Sequence, residues 1–136
     1  MSQKACQSYK TAHQSIIDSV DQLMPLLRSY SQAKPKLRIL HQKLLNHFGR
    51  QNQELFDRLR DCHGSDPDTL KLLDFLLHES KGIRIQFLLF SDKHSGEMGD
   101  VNARTFPLDF QNFIRDLIAY LKIEDEYLLP LLERLP

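Results

Sequence analysis

Residues 110–135 read FQNFIRDLIAYLKIEDEYLLPLLERL. Apolar side chains recur there at Phe110, Phe113, Leu117, Tyr120, Leu121, Leu128, Leu131 and Leu135. That spacing is the period of an α-helix with one wide apolar face. Inside the stretch lies Tyr120-x-x-x-Glu124-Asp125, followed by Pro130, where a bend near the helix end is expected. An earlier stretch echoes it: His47-x-x-x-Gln51, then Glu54-Leu55-Phe56. Two helices, each with polar groups about one turn apart on an apolar face, predict a helical bundle built around a polar centre.

Working outward, the first helix is expected over Gln3–Tyr30. Tyr9, Ile16, Leu23 and Tyr30 are spaced by seven, as are His13, Val20 and Leu27 on the neighbouring line. The stripe runs on through Pro25, which predicts a kink at Gln22–Pro25 rather than a stop. After a link at Ser31–Lys34, the second helix is expected from Pro35 to about Arg60. Leu37, Leu44, Gln51 and Arg58 form one line, flanked by Leu40, His47, Phe48 and Leu55. Asp66-Pro67-Asp68 is a helix start, with Asp66 as cap and Pro67 at the first helical position. The third helix is read to about Phe90, with Phe75, His78, Gly82, Ile85 and Leu89 on one face. Ser91–Arg104 reads as the longest loop. Thr105 is the expected cap of the fourth helix. Four helices joined by links of roughly 4–14 residues predict one domain, residues 1–136, folded as an all-α antiparallel up-down four-helix bundle. The third helix, apolar on several faces, points to either a buried helix or a homodimer contact.

Composition narrows the function. Lys plus Arg and Asp plus Glu number 18 each, so the net charge is zero. No excess charge draws the chain to nucleic acid or to an acidic membrane. The basic clusters Lys34-Pro35-Lys36-Leu37-Arg38 and Arg58-Leu59-Arg60 are short and read as solvated helix ends. No apolar run reaches the ~18 residues that span a bilayer. The first ten residues, MSQKACQSYK, lack a signal-peptide core. A cytoplasmic protein is expected. Cys6 and Cys62, without metal-type spacing, are most simply free thiols, with a disulfide between them left open. No Gly-rich phosphate loop, metalloprotease His pair or nucleophile elbow is present, so no enzymatic activity is expected. His41, His63 and His94 read as surface or loop residues.

His13, His47, Gln51, His78, Tyr120, Glu124 and Asp125 all lie on or beside the apolar stripes. Opposed helices could converge such groups on one point inside a bundle.

The pattern resembles the hemerythrin-like (HHE cation-binding) family. Ala12-His13-Gln14-Ser15-Ile16-Ile17-Asp18 is similar to that family's opening helix with its single ligand His. His47-Phe48 through Glu54-Leu55-Phe56 is similar to its second-helix pattern, His78-x-x-x-Gly82 falls where it has His-x-x-x-His, and Tyr120–Leu131 is similar to its last helix. The resemblance implies a metal site on His13, His47, His78 and Asp125, with Glu124 as the alternative register. Gln51 stands where a bridging Glu belongs, and Gly82 and Tyr120 stand where two His belong. A neutral amide does not offset the repulsion of two divalent ions, so a normal di-iron centre is not expected. What is left is a single Fe or Zn ion on His13, His47 and Asp125, or a metal-free polar core. The implied role is regulatory, as a sensor or a protein-binding module.

Two further resemblances stand beside it. Leu44-Leu45-Asn46-His47-Phe48, Leu55-Phe56-Asp57-Arg58-Leu59 and Ile123-Glu124-Asp125 are similar to the Rsd/AlgQ family, which implies a sigma factor of RNA polymerase as partner. His78-x-x-Lys81-Gly82 resembles the core motif of histidine phosphotransfer domains, which implies His78 as a phosphoacceptor.

Overall fold

A computed structural model describes residues 2–50 and 53–135, with side chains from Cys6 onward. Every regular element in it is helical. In chain order these are α1 (Ser2–Leu23), a 3₁₀ turn (Met24–Leu26), α2 (Tyr30–Gly49), α3 (Gln53–His63), α4 (Pro67–His94), α5 (Gly96–Val101), α6 (Phe106–Ile123), a π-turn (Glu124–Leu128) and α7 (Leu129–Glu133). α1 packs on α2 and α7, and α4 packs on α3, α5 and α6. No described helix is long and apolar enough to cross a membrane. Cys6 is buried, Cys62 is exposed, and both are free thiols.

Heptad lines explain which faces are buried. Tyr9, Ile16 and Leu23 on α1 are buried, as are His13 and Val20. On α4 the lines are Leu73, Ser80, Phe87, His94 and Thr69, Leu76, Ile83, all buried. On α6 and the π-turn they are Phe110, Leu117, Glu124 and Phe106, Phe113, Tyr120, again all buried. Asp66 caps α4 as expected, its carboxylate accepting from the Asp68 N–H at 3.2 Å with Pro67 next in line.

Several expectations are corrected. The first helix stops at Leu23 instead of bending through Pro25. Pro25 has no N–H to give and its ring crowds the preceding turn. The chain tightens into the 3₁₀ turn, leaves helical geometry at Ser29 (φ −121°, ψ 88°) and restarts at Tyr30. The expected link at Ser31–Lys34 is thus helical, and Pro35 sits inside α2. The expected second helix is two helices, α2 ending at Gly49 and α3 starting at Gln53. α3 buries Phe56 and Leu59 while Arg58 turns outward. The expected loop at Ser91–Arg104 is largely helical: α4 runs on to His94, and Gly96, at φ 57°, turns the chain into α5. On α4 the face carrying Phe75, His78, Gly82, Ile85 and Leu89 is the exposed one.

The apolar interior falls into two clusters. One joins Ile16, Leu40, Phe87, Phe110 and their neighbours. The other joins Cys6, Tyr9, Phe56, Leu73, Leu128 and Leu132. α1, α4 and the segment from α6 to α7 pass from one cluster to the other across a polar position, His13, Ser80 and Glu124 respectively, and α2 adds buried His47 next to Phe48 of the first cluster. A buried polar layer separates the two clusters.

Candidate metal centre

Glu124 is the hub of that layer. Its side chain is 0% exposed, and both His13 (4%) and His47 (1%) are buried around it. The Nε2–H groups of His13 and His47 each donate to Glu124 Oε1 at 2.8 Å. His13 Nδ1–H donates to Asp125 Oδ1 at 2.7 Å. Ionised carboxylates only accept, so both His13 nitrogens carry protons in this arrangement and the ring is an imidazolium. The two imidazoles meet edge to face with centroids 4.9 Å apart, and Tyr9 closes over His47 at 5.5 Å.

Local sequence sets this geometry. The heptad line brings Glu124 inward, but a regular helix would send Asp125 about 100° away from it. Pro130 prevents the regular form, since it cannot bond the Glu126 carbonyl and its ring crowds that group. The Leu129 N–H instead bonds the Glu124 carbonyl, one residue further back, and Glu124–Leu128 becomes a π-turn. In that widened turn consecutive carboxylates reach the two edges of one imidazole.

The electrostatics are mutual. Burial is the largest influence on His13 and works to lower its pKa. The hydrogen bond and charge of Glu124, with Asp125, outweigh it, so the pKa is raised. Burial likewise works to raise the Glu124 pKa, and the bonds from His13 and His47 bring it below the usual value. Tyr120 lies between Ser80 and Glu124. Burial, then the Glu124 charge, pushes its hydroxyl pKa far up, so it stays protonated.

Ligand atoms of His13, His47 and Glu124 lie within 4.8 Å of one another. Two imidazoles and one carboxylate are a donor set suited to Fe²⁺ or Zn²⁺. Two further observations fit an ion. Glu124 Oε2 is buried without a hydrogen bond of good geometry among the described residues, with Tyr120 beside the carboxylate. Asp125 holds the far nitrogen of His13, the outer contact that orients a ligating His. Glu124 and Asp125 together balance a divalent charge. An ion here would replace the Nε2 protons and supply a charge, and a Lewis acid, in a water-poor layer.

Of the residues predicted from sequence, His13 and His47 are brought together. The carboxylate facing both is Glu124, the alternative register, while the Asp125 side chain is 53% exposed and bonds His13. His78 is exposed on the outer face of α4, as are Lys81 and Gly82. Tyr120 is buried beside Glu124. Gln51 lies outside the described residues. Sequence reasoning missed Ser80 and Tyr9 as walls of the site, and it placed His94 in a loop. His94 is 0% exposed and pairs with Asp109 at 2.8 Å. The line Leu73, Ser80, Phe87, His94 carried that signal. The chain matches no family model, no curated protein and no solved structure.

Proposed function

We propose that this is a cytoplasmic, hemerythrin-like four-helix-bundle protein that holds one divalent Fe or Zn ion on His13, His47 and Glu124. It acts without enzymatic turnover, as a metal-dependent sensor or regulatory module. The observation that carries this reading is the convergence of three buried ligand atoms within 4.8 Å. One ion rather than two is supported by His78 and Gly82, which lie on the exposed face of α4 and leave a second ion without its histidines. Asp125 passes from ligand to orienting partner.

The test is the metal content of untagged protein, by elemental analysis and by titration of chelator-treated protein with Zn²⁺ or Fe²⁺. One ion per chain is expected, lost in His47→Ala and in Glu124→Ala. Two ions per chain, or one retained in both variants, would sink the reading.

A second reading is favoured by one observation. His78, Lys81 and Gly82 are all exposed on one stretch of α4, with nothing within 4 Å of a Cβ placed on Gly82. That leaves room for a phosphoryl group on His78 beside a lysine. Incubation with phosphoramidate should then give an acid-labile phosphate that His78→Ala abolishes, and an unlabelled parent protein would end this reading.

A further inference from the structure

A groove of about 490 Å³ runs along the outside of the α1–α2 pair. The two helices run in opposite directions there: Arg50 reaches Ser8, while Lys43 reaches Ser15 and Ser19. Lys43 and Arg50 are two helical turns apart on α2, about 10 Å along the axis. They therefore stand at the two ends of the groove. Between them its wall carries half-buried Ala12 as apolar surface, over buried Ile16, and Thr11 and Asn46 as hydrogen-bonding groups.

Lys43 and Arg50 are the Lys and Arg residues that line this groove. Lys34, Arg60, Lys93 and Arg115 each pair with a carboxylate. Lys43 and Arg50 have none in salt-bridge reach among the described residues. Lys43 donates to the Ser15 carbonyl at 3.0 Å and to the Ser19 hydroxyl at 2.6 Å, and Arg50 donates to the Ser8 hydroxyl at 2.6 Å. No Asp or Glu lines the groove among the described residues. Two cations held in place by neutral acceptors keep their charge available to a ligand. The volume lies in the range of small-molecule sites, which combine apolar wall with a few placed polar groups.

The floor carries a third feature. His47 lines the groove and is 1% exposed. Its Nε2 is committed to Glu124, while Nδ1, on another edge of the ring, is buried without a hydrogen-bond partner among the described residues. A buried nitrogen left unpaired is unfavourable, and a ligand group that reached it would remove that cost.

We propose that the α1–α2 groove binds a small organic anion, its oxyanion head held by Lys43 or Arg50 and its apolar body laid on Ala12 and the aliphatic stem of the other cation. This goes beyond the metal reading and does not depend on it. His47 is a wall common to both sites, so an occupant of the groove would sit against a ligand of the buried centre.

The experiment uses chelator-treated, ¹⁵N-labelled full-length protein titrated with benzoate, phenyl phosphate and uncharged benzyl alcohol. Amide shifts are expected to concentrate at Ser8, Thr11, Ala12, Ser15, Lys43 and Asn46 with the anions and to be absent with the alcohol. Comparing benzoate with phenyl phosphate assigns the head as carboxylate or phosphate. Whichever of Lys43→Gln and Arg50→Gln removes the cation that holds the head should weaken the tighter anion about tenfold, and the other should weaken it less. Lys43→Arg, which keeps the charge, should retain binding and guards against a misfolded Gln variant. Lys122→Gln, an equal charge change on exposed α6 surface, should leave binding unchanged. The proposal is overturned if these amides stay still with both anions, if benzyl alcohol moves them as benzoate does, or if Lys122→Gln weakens binding as much as Lys43→Gln.

Discussion

His13 is gripped at both ring nitrogens by consecutive residues, Glu124 on Nε2 at 2.8 Å and Asp125 on Nδ1 at 2.7 Å. An imidazolium is thereby held between two apolar clusters beside a fully buried carboxylate. Burying such charges is costly, and apolar groups of like volume often stabilise a core as well or better. On the metal reading proposed above, the cluster is retained for the ion it binds.

That argument yields a stability contrast. Glu124→Ala leaves the His13 charge and the His47 N–H without their partner and should cost about 3–5 kcal/mol. The triple change His13→Leu, His47→Leu, Glu124→Leu removes the whole set in similar volume. It should return to within about 1 kcal/mol of the parent or exceed it. Urea unfolding of metal-free protein reads both. A triple variant as weak as Glu124→Ala would make the cluster a structural necessity.

Asp125 separates metal affinity from folding. Its side chain is half exposed, so Asp125→Asn should change stability little. As the orienting partner of His13 it should matter for the ion, and its loss should weaken Zn²⁺ binding about 10- to 100-fold. Competition against a chelating dye measures this. Unchanged affinity would remove Asp125 from the site.

The helical character and the buried faces of α1 and α6 were legible, because their seven-residue apolar lines stay buried. The line Phe110, Leu117, Glu124, Leu131 already favours Glu124 over Asp125, and the line through Leu73, Ser80 and Phe87 reaches His94. What the periodicity could not show was phase. Pro25 ended a helix where a kink was expected, because the stripe resumes in α2 at Tyr30 with no record of the intervening turn. α3, a separate helix from Gln53, buries Phe56 and Leu59 and turns Arg58 outward. On α4 two apolar faces compete, and the choice between the Ser80 face and the His78 face depends on partners that local sequence does not contain. The double hold on His13 depends on a π-turn, which no helical wheel of this stretch displays.

Gly99 and Tyr30 form a second test of packing. The Tyr30 hydroxyl donates to the His94 carbonyl at 2.5 Å, passing over Gly99. A Cβ there would stand 2.6 Å from Tyr30 Cζ and 2.7 Å from the His94 carbonyl oxygen. Gly99→Ala should destabilise by about 1–3 kcal/mol. In a Tyr30→Ala background the same change should cost markedly less, because the ring is gone. Equal costs in the two backgrounds, in a double-mutant cycle, would mean that the backbone contact alone matters.

The last prediction concerns pH. The folded pKa of His13 is raised above its ordinary 6.5, so its stabilisation is complete below about that pH and is lost as pH rises through the folded value. The folded pKa of Glu124 is lowered from 4.5, so its contribution is present above that pH and is lost as pH falls through the folded value. Asp109 acts on the same acid side: burial raises its pKa, but the bonds from Lys93, His94 and Thr105 outweigh it. Metal-free protein should accordingly be most stable between about 4.5 and 6.5 and weaken on both sides. The urea midpoint followed across this range reads the effect, with His13→Gln as the diagnostic variant. It should be less stable in the plateau and should lose the decline above 6.5, since it has no proton to release there. An unaltered alkaline decline in His13→Gln would assign that limb to another group. Adding Zn²⁺ should reverse the trend in the parent, because the ion needs the Nε2 lone pair that the imidazolium withholds, and stabilisation by metal should grow as His13 deprotonates.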